Sequence, residues 1–239
     1  MEKMTLTDLW AKAFVDDGWI GDYLHTAYRR ENTLCLTRQG QLAAGLSWMD
    51  VTCRKRKLAY LYAVATAPAF RHQGLCRELM EKTQTVLAER GYQGSVLVPA
   101  GDALRRMYAS MGYRNFGGME KLRVKASSPV SLREISPREY ARLRRTRLPP
   151  AGIIQESGAP EYLAQSASLY TGEDFLLAIR PEEAFGIELL GNAAQAGGIL
   201  GALGIPQGTF RVPGSTPFAM FRPIGQDSPA PGYFGLAFE

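Results

Sequence analysis

An apolar, aromatic segment that passes through a short glycine-containing turn into an amphipathic helix constrains this fold more than any other feature. Residues 57–66, KLAYLYAVAT, are β-branched and aromatic enough to predict a central strand. Helical spacing follows over residues 74–90 and ends at Arg90 and Gly91, a cation and a glycine stop. The apolar face of this helix comprises Leu75, Leu79, Thr83, Val86 and Leu87. The pattern predicts a mixed α/β fold.

The turn itself, APAFRHQG at residues 67–74, is suited to a phosphate group. The first backbone N–H groups of a helix have no intrahelical partner, and the helix dipole gives that end positive character. Arg71 and Arg77 add charge on both sides of the turn, and Gly74 lets a ligand approach the backbone closely. The turn is neither a GxxxxGK[ST] loop nor a GxGxxG fingerprint. We therefore predict a pyrophosphate cradle of another kind.

The rest of the first half alternates helices and strands. Residues 5–30 predict one or two helices, and two strands follow around a Gln-Gly turn. GSVLVPA (94–100) predicts a short buried strand. DALRRMYASMG (102–112) predicts a helix with Asp102 as its N-cap, and YRNFGGMEKLRV (113–124) predicts a pair of strands.

The second half opens after a change in composition. KASSPVS (125–131) predicts a linker, and we expect one domain over residues 1–125 and a second over residues 126–239. Ser136 is the predicted N-cap of a helix that runs to about Arg147. The later predicted strands are DFLLAI, FGIELLG, TFRVPG, FAMFRPI and YFGLAF. This half has no second turn of the phosphate-binding kind.

Composition excludes several classes of protein. With 46% hydrophobic and 21% charged residues, the 239-residue chain is globular, and no apolar run approaches the ~20 residues that cross a bilayer. The N-terminus shows no apolar h-region, so we expect no signal peptide. The cysteines (Cys35, Cys53, Cys76) lack CxxC spacing and only two histidines accompany them. We therefore expect reduced thiols, a cytoplasmic location and no metal site.

Two basic runs contribute to the net charge of +5, CRKRK at 53–57 and REYARLRRTR at 138–147. Such runs are usually solvated faces, and a ligand that carries phosphate would be attracted to them as well as a nucleic acid would. The sequence has no helix-turn-helix, zinc-finger or RNA-binding signature. We therefore do not expect a nucleic-acid partner, and a nucleic-acid-binding accessory role for 138–147 is the weakest alternative.

Residues 71–76, RHQGLC, resemble the acyl-CoA signature of the GNAT superfamily of N-acetyltransferases, Arg/Gln-x-x-Gly-x-Gly/Ala, which starts a helix after a long strand. YAVATAPAFR (62–71) looks like the strand and V-x-P-x-x-R lead-in of that family. LVPAGDALRRMYASMGYRNF (97–116) resembles its second conserved block. The resemblance covers about residues 5–124. It implies a GNAT acyl-CoA N-acyltransferase fold, followed by a second, smaller GNAT-like α/β domain.

The resemblance also implies where acetyl-CoA would lie. Val64 and Ala65 would pair with the pantetheine arm, as an added strand pairs with a sheet edge. Tyr108 matches the tyrosine that gives a proton to the departing thiolate. The backbone amides that would hold the CoA pyrophosphate are those of Gln73, Gly74, Leu75, Cys76 and Arg77. Arg71 and His72 lie in the same turn beside them.

Three features depart from the family pattern. Cys76 stands where the family prefers Gly or Ala, and Gly101 or Asp102 stands where it often carries an Asn that contacts pantetheine. The strand at 57–66 also lacks the carboxylate that many members carry there. Asp50 and the C-terminal carboxylate of Glu239 are the candidates for the general base. Deletion of Glu239 with full turnover retained would rule out the second.

The sequence thus predicts a two-domain cytoplasmic N-acetyltransferase. It would transfer an acetyl group from acetyl-CoA directly to a primary amine of a small-molecule or peptide acceptor. The acceptor class stays open among small amines, amino acids, antibiotics and the N-termini or lysines of proteins. The main alternative is a sensor or scaffold that binds CoA without turnover.

Overall fold

The structure, a computed structural model, describes residues 4–15, 18–155, 157–225 and 228–238. Contacts between residues divide the chain into two compact units. The first comprises Met1–Arg114 and Phe221–Ala230, and the second comprises Asn115–Met220 and Pro231–Glu239. The division into domains after residue 125 stays a prediction.

The first unit is built on a mixed sheet with helices packed against it. Its helices are α1 (Leu6–Ala13), α2 (Trp19–Thr26), α3 (Leu75–Glu89) and α4 (Asp102–Ala109). Its strands are β1 (Thr33–Arg38), β2 (Gln41–Cys53), β3 (Arg56–Thr66) and β4 (Gly94–Leu97). They lie in sequence order. Strand β2 is antiparallel to both β1 and β3, and β4 is parallel to β3. The mixed α/β fold predicted from the sequence is confirmed.

The second unit holds the remaining elements. Its helices are α5 (Pro137–Arg147), α6 (Ala159–Ser166) and α7 (Ala196–Leu203). Its strands are β5 (Arg114–Lys125), β6 (Arg133–Glu134), β7 (Ile154–Gln155), β8 (Ser168–Thr171), β9 (Phe175–Arg180), β10 (Phe185–Gly191), β11 (Gln207–Pro213) and β12 (Thr216–Pro223). The strand order is β12-β5-β11-β10-β9-β8-β6. Strands β10 and β11 pair in parallel, whereas the pairs β5–β11, β10–β9, β9–β8 and β8–β6 are antiparallel. Strand β12 ends in the first unit, where Phe221 lies against Gly94 of β4.

The predicted strand, turn and helix at the centre of the first unit are confirmed. Strand β3 is largely buried, and α3 begins at Leu75, directly after the turn. The helix ends at Glu89, and Gly91 has a φ of +74°, which matches the predicted glycine stop. The buried residues of α3 are Leu75, Leu79, Met80, Thr83, Gln84 and Leu87. Helical spacing therefore identified the buried face, but it did not identify the polar Gln84.

Two local predictions for residues 102–124 were wrong. The N-cap of α4 is Gly101, and Asp102 is the first helical residue, where its charge still suits the helix dipole. The predicted pair of strands at 113–124 is the single strand β5. Its glycines resemble a turn signal, but Gly118 is needed for close packing, because a Cβ there would overlap the carbonyl of Gly214.

The predicted linker is packed within the second unit. Ser127 N–H donates to the carbonyl of Gly197 at 2.9 Å, and Val130 N–H donates to that of Gly198 at 3.3 Å. A Cβ at Gly201 would overlap the carbonyl oxygen of Ser127. The glycines of α7 therefore let this segment lie directly against the helix, so residues 125–130 are fixed and do not form a free linker.

The C-terminal segment YFGLAF is not a strand, contrary to the prediction. Tyr233 makes one isolated parallel bridge with Gly152, and the N–H of Ile153 donates to the carbonyl of Tyr233 at 2.8 Å. The side chain of Gln155 donates to the carbonyl of Leu236 at 2.7 Å. Side-chain and single backbone contacts thus replace the strand ladder that alternation predicted.

Candidate active site

The candidate site lies in the first unit, where β3 loses its parallel neighbour. Strand β3 pairs with β4 only through Ala59 and Tyr60, opposite Ser95 and Val96. It then continues beyond the end of β4 and stays paired with β2 on its other side. Within the described residues, the edge of 61–66 that faces away from β2 therefore has no strand partner. Such an edge presents backbone donors and acceptors to an extended ligand.

Val64 and Ala65 lie on this edge segment, as the resemblance implied. Val64 is half-buried and Ala65 is buried. The register with β2 moves from Ala65 opposite Gly45 to Tyr62 opposite Ser47, so β3 has one residue more than β2 between these pairs. A β-bulge therefore interrupts the strand beside Val64, and bulges re-aim backbone groups at functional sites.

The bulge is held in place by a buried tryptophan. Ala63 has a φ of +52°, a left-handed conformation that costs a non-glycine residue about 1–3 kcal/mol. The indole of Trp10, a fully buried residue of α1, donates to the carbonyl of Ala63 at 2.8 Å. Sequence analysis missed Trp10, because its partner lies 53 positions away and no spacing connects the two.

The turn between β3 and α3 forms an exposed backbone cradle. Pro68–Phe70 make a short 3-10 turn, and both His72 (φ +63°) and Gly74 (φ +76°) are left-handed. The side chain of Gln73 turns back to the carbonyl of Ala69 at 3.4 Å. Gly74 is the N-cap of α3, and no described side chain caps the helix. The first N–H groups of α3 are therefore available to an anion.

Both predicted arginines are anchored near the cradle. The Nε of Arg71 donates to the carbonyl of Thr66 at 3.3 Å. The guanidinium of Arg77 donates to the carbonyl and the hydroxyl of Ser110, at 3.1 and 2.8 Å. Arg77 therefore joins the start of α3 to the end of α4.

Cys76 brings the cradle close to Tyr108. Leu75 is buried, which anchors the first turn of α3, and Cys76 is half-buried. Burial raises the pKa of the Cys76 thiol, while the charge of Arg77 acts in the opposite direction. Burial, and then the neighbouring Cys76 and Tyr113, raise the pKa of Tyr108 above the ordinary value for a phenol.

Tyr108 has the chemistry of a protonated acid. Its side chain is 7% exposed, and its hydroxyl accepts no hydrogen bond and donates none within the part of the chain that the structure describes. Its ring lies edge-on to that of Tyr113, with centroids 5.9 Å apart. A buried phenol with a raised pKa and a free hydroxyl stays protonated at neutral pH and can donate to a thiolate.

A buried polar cluster, which sequence analysis also missed, fixes the strand next to Tyr108. The amide of Gln84 donates to Ser95 Oγ at 2.6 Å and to the hydroxyl of Tyr113 at 2.9 Å. The hydroxyls of Ser95 and Tyr113 are 2.7 Å apart. The cluster therefore joins α3, β4 and the segment after α4, and it positions the helix that carries Tyr108.

Asp50 lies away from this site. It is opposite Ala59 in the sheet, five residues before Val64, or about 17 Å along the strand. Its carboxylate accepts from the hydroxyl of Tyr92 at 2.5 Å and from the amide of Asn32 at 3.1 Å. Both its position and its partners argue against Asp50 as the base. The other candidate, Glu239, lies outside the described residues.

The cysteines, the possible metal ligands and the helices add three further observations. None of Cys35, Cys53 and Cys76 forms a disulfide. Within the described ranges, no cluster of three or more His, Cys, Asp or Glu is arranged to hold a metal ion. None of the described helices has the length and hydrophobicity that a bilayer crossing requires.

A family model described as an acetyltransferase (GNAT) domain matches residues 2–116. These residues, just under half of the chain, are therefore similar to a GNAT acetyltransferase domain. Domains of this family transfer an acyl group from an acyl-CoA. The match covers the unpaired edge of β3, the cradle and Tyr108 together. Comparison with curated proteins gives no match.

Solved GNAT structures have the same fold as this chain. A GCN5-related N-acetyltransferase from Kribbella flavida is 16% identical, with a TM-score of 0.67 over 89% of this chain and 66% of that one. A GCN5-related N-acetyltransferase from Anabaena variabilis is 15% identical, with a TM-score of 0.69 over 91% and 69%. This chain therefore spans about two thirds of the length of these relatives. At such identities the likeness shows the fold alone.

One further GNAT family acetyltransferase, from Elizabethkingia anophelis, was solved with acetyl-CoA bound. That protein is 14% identical to this chain, and the alignment covers 49% of this chain and 73% of that one, with a TM-score of 0.40. Its ligand is a property of that protein.

Proposed function

We propose that this protein is an N-acetyltransferase that transfers the acetyl group of acetyl-CoA directly to a primary amine. The observation that carries the proposal is one continuous ligand path in the first unit. The unpaired edge of β3 leads through an exposed turn into the uncapped start of α3. Acetyl-CoA has an extended amide arm joined to a pyrophosphate, which matches an open strand edge followed by a helix N-terminus.

The cofactor would use backbone groups more than side chains. Val64 and Ala65 would pair with the amides of pantetheine. The N–H groups of residues 73–77 would bind the pyrophosphate, and the exposed Arg71 would add positive charge in the same turn as His72. Cys76 is small enough to leave the helix start open. Backbone contacts explain why a turn with few charged side chains is sufficient.

The transfer moves one proton in total from the amine to CoA. The neutral amine attacks the thioester carbonyl carbon, so an N–C bond forms and the C–S bond breaks. A backbone N–H beside Val64 would stabilise the oxyanion. Tyr108 would donate its proton to the departing thiolate, and the proton that the amine loses would return the phenolate to phenol through solvent.

The amine must lose its ammonium proton before it attacks. Among the described residues, β3 carries no carboxylate, and Asp50 is remote and hydrogen-bonded. We therefore propose that water takes this proton. Glu239 stays a hypothesis, and a variant that lacks Glu239 and keeps full turnover would exclude it.

The decisive experiment is a product assay. Purified protein is incubated with acetyl-CoA and a mixed panel of primary amines, and products are measured by mass spectrometry beside CoA release. We expect an amine that gains one acetyl group, with one CoA released for each. CoA release without an acetylated amine would indicate hydrolysis and would contradict the proposal. The control is Tyr108→Phe, which should slow both signals equally.

A CoA-binding sensor is the second candidate, and the absence of a carboxylate on the described β3 favours it. Binding of acetyl-CoA with no product from any amine would support this alternative. The second half as a degenerate GNAT-like domain, the cytoplasmic location and the lack of a nucleic-acid partner all stay proposals.

A further inference from the structure

Rings from α1, α2 and β3 form an aromatic cluster beside the bulge. The aromatic cluster comprises Trp10, Phe14, Trp19, Tyr23, Tyr28, Tyr60 and Tyr62. Trp10, Tyr23 and Tyr60 belong to the core, since they are 2% exposed or less. The other rings reach the surface. The packing of α1 and α2 on the sheet explains the buried rings of this cluster, but it does not explain the exposed ones.

The exposed part lies beside Val64. Residues 62–64 are half-buried, whereas Leu61 and Ala65 on either side are buried, so the bulge opens to solvent. The rings of Tyr62 and Trp19 meet edge-to-face with centroids 5.6 Å apart, and both are half-buried. Phe14 is 40% exposed and lies 5.9 Å from Trp19.

The geometry points to an acceptor whose primary amine is joined by a short linker to an aromatic or similarly bulky apolar group. This inference rests on the proposed function, because it takes Val64 as the position of the thioester. The exposed wall of Tyr62, Trp19 and Phe14 would receive the apolar group. Apolar and aromatic surfaces of this kind bind ligands mainly by removing their apolar area from water.

The length of the linker follows from the strand. Tyr62 and Val64 are two residues apart, and because the bulge at Ala63 lies between them, their Cα atoms are separated by at most about 7 Å, the reach of a fully extended chain. A ring in contact with Tyr62 can therefore reach the thioester beside Val64 with its amine through two or three bonds. A 2-arylethylamine has this length, whereas an amine directly on the ring does not.

A carboxylate on α2, the helix of Trp19, suggests a different class of acceptor to compare with an arylalkylamine. Asp22 lies three residues after Trp19 on α2 and is half-buried, so it could attract a second ammonium group. The carboxylate of α1, Asp8, caps its own helix through Thr5. A short diamine is therefore the sharpest comparison with an arylalkylamine.

The first test compares three amines in the same acetyl-CoA assay: 2-phenylethylamine, ethanolamine and putrescine. We expect kcat/KM for 2-phenylethylamine to exceed that of each other amine by about tenfold or more, as burial of a ring predicts. Turnover of ethanolamine or putrescine that equals or exceeds that of 2-phenylethylamine would overturn the inference and leave the proposed function intact.

Variants on α2 locate the preference. Trp19→Leu should lower kcat/KM for 2-phenylethylamine about fivefold or more through KM, and should leave ethanolamine within about twofold. Trp19→Phe keeps a ring and should lower kcat/KM for 2-phenylethylamine less than Trp19→Leu does, which separates loss of recognition from misfolding. The matched control is Leu24→Ala, since Leu24 is 38% exposed on the same helix but points to a different side. Equal losses in Trp19→Leu and Leu24→Ala would overturn the inference.

A binding measurement separates this inference from the proposed function. Fluorine NMR of 2-(4-fluorophenyl)ethylamine reports binding whether or not transfer occurs. Binding that Trp19→Leu weakens and Leu24→Ala does not, in the absence of any product, would support the apolar-amine site and contradict transfer. No binding of this amine would overturn the inference, and the absence of product from every amine of the panel would separately contradict the proposed function.

Discussion

At the scale of single residues, Tyr108 connects burial to chemistry. Burial raises the pKa of its phenol, and its hydroxyl has no partner among the described residues. The family resemblance named this residue from its position in the second block. The raised pKa could not be predicted from sequence, because it depends first on burial and then on Cys76 and Tyr113, which come near Tyr108 only in the folded chain.

Replacement of this hydroxyl should affect the chemical step alone. Tyr108→Phe should lower kcat about 10- to 100-fold, because the thiolate then leaves without an acid, and should leave the Kd of acetyl-CoA within about twofold. Steady-state kinetics and calorimetry measure the two quantities. The matched control is Tyr113→Phe, whose hydroxyl is bound by Ser95 and Gln84 and should affect stability more than kcat. A Tyr108→Phe enzyme with unchanged kcat would remove the residue from the mechanism.

The raised pKa has a consequence for pH dependence. An acid acts in its protonated form, so activity falls only as pH rises through its pKa. Because the pKa of Tyr108 is raised above that of an ordinary phenol, kcat should show no falling limb below about pH 10. A pH profile of kcat in wild-type protein measures this. A falling limb between pH 7 and 9 that Tyr108→Phe abolishes would contradict the environment described.

At the scale of elements, the sequence pattern predicted the central strand and helix of the first unit but not the local packing around its glycines. It placed β3 and α3 and their buried faces, because both follow a regular pattern of side chains. Sequence analysis predicted two strands at 113–124, where the chain forms one, and a linker at 125–131, where the chain is packed. In both places a glycine allows close packing with a segment distant in sequence, Gly118 with Gly214 and Gly201 with Ser127.

The packing of the supposed linker on α7 is testable. Gly201→Ala should destabilise the protein by about 1–3 kcal/mol, because the new Cβ would overlap the carbonyl oxygen of Ser127. Gly21→Ala is the control, since Gly21 lies in α2 with open space around it and should stabilise by about 0.5–1 kcal/mol. Denaturant unfolding measures both. A Gly201→Ala protein as stable as wild type would show that residues 125–130 are free to move.

At the scale of the whole molecule, residues far apart in sequence meet in one buried ion pair of the second unit. Glu188 of β10 is fully buried and accepts from Arg144 Nε at 2.6 Å and from the hydroxyls of Tyr140 and Tyr233, at 2.9 and 3.0 Å. It thereby joins α5, the sheet and the C-terminal segment. Sequence analysis assigned the arginines of α5 to a solvated face, which is wrong for Arg144.

Removal of one partner of this ion pair should lower the free energy of unfolding. Arg144→Met leaves a buried carboxylate without its cation and should destabilise by about 3–5 kcal/mol. Arg133→Met breaks an exposed pair with Glu139 and should lower the free energy of unfolding far less, because solvent screens exposed ion pairs. Thermal and denaturant unfolding of the two variants tests this. Adding Glu188→Gln to Arg144→Met should recover part of the loss, and equal stability of the single variants would contradict the account.

The central claim is that acetyl-CoA binds at the start of α3, and calorimetric titration of acetyl-CoA tests it most directly. The two ends of α3 provide a matched pair, because Gly74 (φ +76°) and Gly91 (φ +74°) are both exposed glycines with open space around them. Gly74→Glu should weaken binding at least about tenfold through repulsion of the pyrophosphate, whereas Gly91→Glu should stay within about twofold of wild type. Equal binding by both variants, or no binding by wild type, would contradict the claim.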